Sequence, residues 1–275
     1  MSPAPALLLV EDSETQALQF RRMAEAEGFA VTRTRTAEEA LDRLNADLPD
    51  LLVVDYRLPG MNGDELVRIV RQTGATRTLP ILMLTGDDAR DIEARGLDSG
   101  ASAYVPKAGG RELILSRLRS LLRQRREPAP APSAAGTASF RAARLLLVGT
   151  APDPALAALL ESDGHRVEPV APADAAATAL AEGGIDGVLI DLPPAPAAAL
   201  CRALDERRQA EGASFEIVAL AAEGDDAAVL DGLAAGADDV VPHGRDADML
   251  LLRLRAILRR KLARDEEAAA AVHAR

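Results

Sequence analysis

The chain has 275 residues, 48% of them hydrophobic, with a formal net charge of −11 and a single cysteine. That length and composition suit two globular domains with adequate cores, and the acidic balance argues against non-specific nucleic-acid binding, as does the lack of a helix-turn-helix or aromatic RNA-binding motif. No apolar run approaches the ~20 residues that span a bilayer, no leader peptide is visible, and the lone Cys201 excludes an internal disulfide framework and suits a reducing compartment, so a cytoplasmic protein is expected.

In the first half, the apolar run at 6–10 reads as a strand with Glu11 and Asp12 directly after it. Ser13 and Gln16 have the spacing of a capping box and open a helix to about residue 27, which Gly28 stops. Residues 30–35 read as a second strand. Thr36 and Glu39 repeat the capping-box spacing before a helix to about residue 45. The run 51–54 is too short for a buried helix and reads as a fully buried strand ending on Asp55. Pro59, Gly60, Asn62 and Gly63 punctuate the loop that follows, and a helix is predicted over 64–72. A fourth strand at 81–84 ends on Thr85 and Gly86. A helix at 88–99 leads to a short strand at 103–105, then Pro106 and Lys107. A last helix over 111–125 carries Ile114, Leu118, Leu121 and Leu122 at core spacing.

Five strands alternating with five helices predict a doubly wound parallel sheet. In such sheets ligands bind outside the carboxyl ends of the strands, and the polar residues fall there. Glu11 and Asp12, Asp55, Thr85 and Lys107 each follow a different strand. Any one has an ordinary reading, as a turn cap, a helix-terminus acid or a solvated charge. Together they converge on one edge. Three clustered carboxylates repel one another without a cation, and hard oxygen ligands suit Mg²⁺. A lysine and a hydroxyl nearby supply a charge and a donor for phosphoryl oxygens.

Residues 5–126 resemble the receiver domains of two-component response regulators, through LLLVEDS, VVDYRLPGMNGDEL, PILMLTG and GASAYVPK. The resemblance implies that Asp55 is the phosphoacceptor, charged by a histidine kinase or a histidine phosphotransfer protein. It implies Mg²⁺ (or Mn²⁺) held by Asp12, Asp55 and the Arg57 backbone carbonyl, with Glu11 supporting the ion through water. Thr85 and Lys107 would hold the phosphoryl oxygens, and Gly86 would leave room for the donor. Tyr104 would reorient as Thr85 moves, changing the surface of the fourth and fifth helices and allowing a homodimer there. Arg57 and Asp87 occupy positions that tune dephosphorylation in the family.

Residues 127–139 are rich in Pro and Ala and nearly uncharged, as in a semi-extended spacer; a rigid connector packed between domains is the alternative. Beyond it the strand-helix alternation returns, with strands expected at 144–148, 167–170, 187–190, 217–220 and 240–241. Asp153 and Pro154 give an N-cap and a proline at the first helical position. The spacing from Asp55 to Thr85 to Lys107 is repeated from Asp191 to Ala221 to His243, and GLDSGASAYVPK is echoed by GLAAGADDVVPH. The chemistry is not repeated. Gly149 and Thr150 replace the acidic pair, and the glycine-rich loop becomes Pro193-Pro194-Ala195-Pro196. Asp191 keeps its place without its partners, unless Asp153 reaches across as a substitute acid. His165 and His243 have no second metal-type ligand beside them, Cys201 reads as an inert helix residue, and His273 as a tail residue.

The expected organisation is a phosphoacceptor receiver over 1–126, a linker over 127–142, a degenerate receiver over 143–262 and a helical tail over 263–275. Both domains are expected to be (βα)5 flavodoxin-like units with helices on both faces of a five-stranded parallel sheet. The function expected is a response regulator acting through protein contacts, with no nucleic-acid or membrane partner. The second domain would be an unphosphorylated adaptor or dimerisation module, and the chain itself no enzyme. Two alternatives compete. Tandem receivers also precede diguanylate cyclase or histidine kinase domains, although neither motif is present here. A haloacid-dehalogenase-like phosphatase is disfavoured, because VEDSET stands where that family has its DxD.

Overall fold

The computed structural model describes residues 3–86, 90–126, 142–171, 174–243 and 247–273. Asp87 and the linker from 127 to 141 lie outside these residues, as does the side chain of His273. The chain divides into two compact units, Met1–Arg125 and Arg126–Arg275.

In the first unit the elements are β1 (Ala6–Val10), α1 (Glu14–Glu25), β2 (Ala30–Thr34), α2 (Ala37–Ala46), β3 (Leu51–Asp55), α3 (Gly63–Gln72), β4 (Ile81–Thr85), α4 (Arg90–Ser99), β5 (Ala103–Pro106) and α5 (Gly110–Arg126). All strand pairs are parallel, in the order β2-β1-β3-β4-β5. The period-two alternation of side chains sends each strand's residues to two faces. Leu7, Leu9, Leu51, Val53, Leu82 and Leu84 pack with Phe20 of α1 and Leu118 of α5. Leu8, Val10, Leu52, Val54 and Met83 pack on the other face with Leu44 of α2 and Leu66 and Val70 of α3. With helices on both faces the inner strands β1, β3 and β4 are buried almost throughout, which is why they read as continuous apolar runs, while the edge strand β2 is partly exposed.

The second unit contains β6 (Arg144–Gly149), α6 (Pro154–Ser162), β7 (Arg166–Val170), α7 (Asp174–Glu182), β8 (Gly187–Asp191), α8 (Pro194–Glu211), β9 (Glu216–Ala222), α9 (Asp226–Ala234), β10 (Asp239–His243) and α10 (Ala247–His273). Its parallel order is β7-β6-β8-β9-β10, the same winding as the first. The proline-rich stretch expected as a loop is instead the first turn of an 18-residue helix, with Pro193 at the N-cap and Pro194 inside the first turn. Proline is tolerated there because those N–H groups have no helical partner. Gly212, left-handed at φ 60°, ends α8. Helix α10 buries Leu250, Leu254, Ile257 and Leu258 against β6, β8, β9 and β10. Its later turns stay attached to the domain: Lys261 Nζ lies 3.0 Å from Asp186, and Arg264 pairs with Glu216.

The two units share detailed bonding as well as topology. Gly100 N–H donates to Leu97 O at 3.1 Å, Ala101 N–H to Gly96 O at 3.1 Å and Ser102 N–H to Ile81 O at 2.8 Å. At the same sequence offset Gly236 N–H donates to Leu233 O at 3.3 Å, Ala237 N–H to Gly232 O at 3.0 Å and Asp238 N–H to Ile217 O at 2.7 Å. Gly100 and Gly236 have φ of 109° and 104°, a conformation that a side chain strains.

Candidate functional site

The carboxyl edge of the first sheet gathers the predicted polar residues. Asp55 is the last residue of β3 and 7% exposed, while Glu11 follows β1 and is 3% exposed. Asp12, beside it, is exposed. One carboxylate oxygen from each lies within 4.8 Å of the others. Lys107, just after β5, brings its ammonium between them, with Nζ 2.7 Å from Glu11 Oε2 and 2.9 Å from Asp55 Oδ2. Its third contact, at 2.5 Å, is Gln16 Oε1 on α1.

Each acid is held from its own main-chain surroundings. Arg57 N–H donates to Asp55 Oδ1 at 3.4 Å, and Ser13 N–H donates to Glu11 Oε1 at 3.2 Å. Arg33 on β2 clamps the acidic turn, its guanidinium donating to Glu11 O at 2.9 Å and Asp12 O at 2.8 Å. Gly63 opens α3 directly against the end of β3. A Cβ there would stand 2.4 Å from Asp55 O and 3.1 Å from Tyr56 Cα, so only glycine fits. Its N–H donates to Tyr56 O at 2.9 Å.

Thr85 ends β4 at 1% exposure and pairs in register with Pro106, next to Lys107. Tyr104 on β5 is buried, in one cluster with Met83 and Tyr56. Arg95 of α4 stacks over the Tyr56 ring at 5.6 Å from its centre and donates to its hydroxyl. A Cβ on Gly86 would meet open space.

The carboxylates at this edge are electrostatically strained. Burial pushes the Glu11 carboxyl above its ordinary range, the Asp55 charge adds to that, and Lys107 offsets it only in part. Burial pulls the Lys107 ammonium down, but its hydrogen bonds and charge contacts with Glu11 and Asp55 outweigh that and raise it. The acids therefore require positive charge, which Lys107 supplies. Three oxygen donors of this kind fit a hard divalent cation such as Mg²⁺. Among the described residues, Glu11, Asp12 and Asp55 are the grouping of that kind.

The corresponding edge of the second sheet differs. Asp191 ends β8 partly exposed, beside Gly149 at the end of β6, while Ala221 stands near the end of β9 and His243 ends β10. Asp153 acts as the α6 N-cap, accepting from Ala155 N at 2.8 Å, so its local role is the helix terminus. Cys201 is fully buried on α8, with its thiol pushed up to about 12 by burial. His165 is partly buried with Nε2 3.4 Å from Asp163, and burial holds its imidazole below the usual range.

Gln16, Arg33 and the close approach of Gly63 were not legible as site features. The Ser13–Gln16 spacing pointed to a local cap, and the contact with Lys107 spans the domain.

Residues 7–119 match the family model described as the response regulator receiver domain. The chain is 41% identical over 120 residues to the phosphate regulon transcriptional regulatory protein PhoB of Rhizobium meliloti, covering 44% of this chain and 53% of that protein. It is 38% identical over 133 residues to the response regulator MprA of Mycobacterium avium, covering 48% and 58%. The chain thus spans little more than half the length of these curated relatives. Among solved structures, it resembles the receiver domain of a signal transduction histidine kinase from Syntrophus aciditrophicus (29% identity, TM-score 0.44, 48% of this chain and all of that one). It also resembles the chemotaxis response regulator CheY4 of Vibrio cholerae (27% identity, TM-score 0.42, 44% of this chain and all of that one). Among the described residues no helix is long and apolar enough to cross a membrane.

Proposed function

We propose that the chain is a two-component signalling protein whose Asp55 accepts a phosphoryl group from a histidine kinase or histidine phosphotransfer protein. The observation that carries this is the Lys107 ammonium bridging Asp55 and Glu11 within the three-carboxylate cluster. An Asp55 carboxylate oxygen attacks the phosphorus of phosphohistidine, a P–O bond forms, and the P–N bond breaks with its electron pair going to the imidazole nitrogen. Hydrolysis later returns the carboxylate and releases inorganic phosphate. Asp12, Asp55 and the Arg57 carbonyl would hold Mg²⁺ or Mn²⁺, with Glu11 acting through water. The ion supplies charge neutralisation of the phosphoryl oxygens. Lys107 and Thr85 donate to those oxygens, and Tyr104 follows Thr85, altering the α4 and α5 surface where a homodimer would form. Gly86 leaves the mouth open for the donor. Under this reading the chain is a phosphoacceptor and not an enzyme acting on a separate substrate.

The second domain is proposed to be a degenerate receiver that carries no phosphoryl group and serves as an adaptor or dimerisation module in the cytoplasm. The shared winding and the bond-for-bond match of its α9–β10 turn support a common origin. The replacement of Glu11, Asp12, Thr85 and Lys107 by Gly149, Thr150, Ala221 and His243 supports lost chemistry. The domain limits follow the same reading, at 1–126, 127–142, 143–262 and 263–275. The phosphate regulon relative is a transcriptional regulatory protein. Here the residues after the receiver form a second α/β sheet, which favours an output through protein contacts. A regulatory segment of a larger diguanylate cyclase or histidine kinase is the alternative.

Calorimetry with Mg²⁺ and beryllofluoride, a phosphoryl mimic, tests the site. The expected result is one site per chain with strongly coupled binding of the two. Two equivalent sites, or beryllofluoride binding that ignores Mg²⁺, contradict it.

A further inference from the structure

Gln16 belongs to a closed ring of hydrogen bonds around the site. Glu11 Oε1 accepts from Ser13 N, and Ser13 Oγ accepts from Gln16 N at 3.4 Å. Gln16 Oε1 accepts from Lys107 Nζ, which donates in turn to Glu11 Oε2. In a capping box the Gln16 side chain would return to Ser13 N–H. Glu11 has taken that donor, so the Gln16 amide oxygen turns to the lysine instead.

The three partners of the ammonium are not equivalent. Glu11 and Asp55 are carboxylates whose state changes during the proposed chemistry. A divalent cation competes with Lys107 for both. Phosphorylation then converts one Asp55 oxygen to an ester-type oxygen and the other to a carbonyl, a weaker acceptor than a carboxylate. Gln16 is neutral and takes part in neither event.

We propose that Gln16 is a positioning residue for Lys107: its amide oxygen holds the ammonium at the mouth of the site while the other two N–H donors pass from Glu11 and Asp55 to the phosphoryl oxygens. This rests on Asp55 being the phosphoacceptor. It adds a residue of α1 to the phosphoryl-binding apparatus and assigns it a role in affinity.

A double-mutant cycle tests it, using the full chain with Mg²⁺ and beryllofluoride. Gln16→Met keeps the side-chain length and removes the acceptor, and should weaken beryllofluoride binding about fivefold, the effect of one hydrogen bond. Gln16→Glu retains an acceptor oxygen and should recover most of that loss. In a Lys107→Ala background Gln16→Met should have no further effect. Gln16 is exposed, so the urea midpoint of Gln16→Met should match wild type. A second readout needs no phosphoryl mimic: by NMR, the Lys107 ammonium protons of the metal-free protein should exchange with water faster in Gln16→Met. Binding of Gln16→Met within twofold of wild type overturns the proposal, as does an equal loss in both backgrounds or unchanged ammonium exchange. If wild type binds no beryllofluoride, the phosphoacceptor reading fails by itself, and ammonium exchange still decides whether Gln16 holds Lys107.

Discussion

Arg208 and Asp238 form a fully buried ion pair at 2.6 Å, where the first domain has Arg71 and Ser102 at 3.2 Å. Both arginines sit late in the helix after β3 or β8 and fasten it to the amino-terminal edge of the next strands. Arg71 donates to Gly100 O, Thr76 O and Leu79 O; Arg208 donates to Phe215 O and Asp205. Ser102 Oγ accepts from Ile81 N at 3.1 Å, and Asp238 Oδ2 accepts from Ile217 N at 2.7 Å. The second domain thus carries a clamp at the same end of its sheet as the first, with a carboxylate where the first has a hydroxyl.

Asp238→Ser imposes the first domain's solution on the second. The serine can still accept from Ile217 N, but Arg208 loses its buried counter-ion. Breaking such a pair costs about 3–5 kcal/mol, and the remaining Asp205 contact places the expected loss near the lower end. Urea unfolding of the full chain should show the second domain's transition shifted to lower denaturant and the first domain's unchanged. A shift of both, or of neither, contradicts the assignment.

Gly63 and Gly86 make opposite predictions within one site. Gly63→Ala drives a methyl into the backbone at Asp55 and Tyr56, which cannot yield as a side chain can, and should cost about 3 kcal/mol. It should also displace Asp55 and abolish Mg²⁺-coupled beryllofluoride binding. Gly86→Ala meets open space and should leave stability within about 0.5 kcal/mol. Calorimetric unfolding of the two variants side by side distinguishes them.

Much of this was readable in advance, and the misses have separate physical causes. Strand ends and apolar faces follow from local periodicity, so Asp55, Thr85 and Lys107 were placed from the chain alone. The capping pairs were only half legible. Thr36 Oγ1 accepts from Glu39 N as expected, yet Glu39 turns to Arg35 N and Gln16 turns to Lys107. Glu39 stays within its own turn, but Lys107 lies 91 residues from Gln16, and no local pattern encodes such a partner. The prolines at the start of α8 were read as a loop because proline breaks helices in their interior; at the first turn it does not. Gly63 looked like loop punctuation, while its stronger reason is the backbone packed against it.

Ionisation of Glu11 should lower the stability of the metal-free protein as pH rises. Its folded carboxyl is raised above the ordinary 4.5, so folding favours the protonated form. The stability linked to that proton is fully present below the unfolded value and is lost as pH rises through the folded one. Lys107, raised above its ordinary 10.5, keeps its contribution through this range and loses it only in strong alkali. The stability of wild type relative to Glu11→Gln should therefore be highest in acid and decline as pH rises above about 4.5. Thermal unfolding of both proteins from pH 3.5 to 8 measures it. A difference that stays flat, or grows in favour of wild type with pH, contradicts the raised carboxyl.

Cys201 offers a spectroscopic report on the second domain. With its thiol buried and pushed up to about 12, almost no thiolate exists at neutral pH. Thiol-disulfide reagents should leave the native protein unlabelled and react fully once the domain unfolds. Rapid labelling of native protein contradicts this placement.

One functional phosphoacceptor is expected in a chain with two sheets of the same winding. Asp55 has Glu11, Asp12, Thr85 and Lys107 around it, whereas a phosphoryl group on Asp191 would add about two negative charges with none of these residues at the matching positions. Intact-mass measurement after incubation with acetyl phosphate and Mg²⁺, on wild type, Asp55→Asn and Asp191→Asn in parallel, tests this most directly. One phosphoryl group per chain should appear on wild type and on Asp191→Asn, and none on Asp55→Asn. Label that persists on Asp55→Asn and disappears only when Asp191 is also changed would show that the second domain is a phosphoacceptor too.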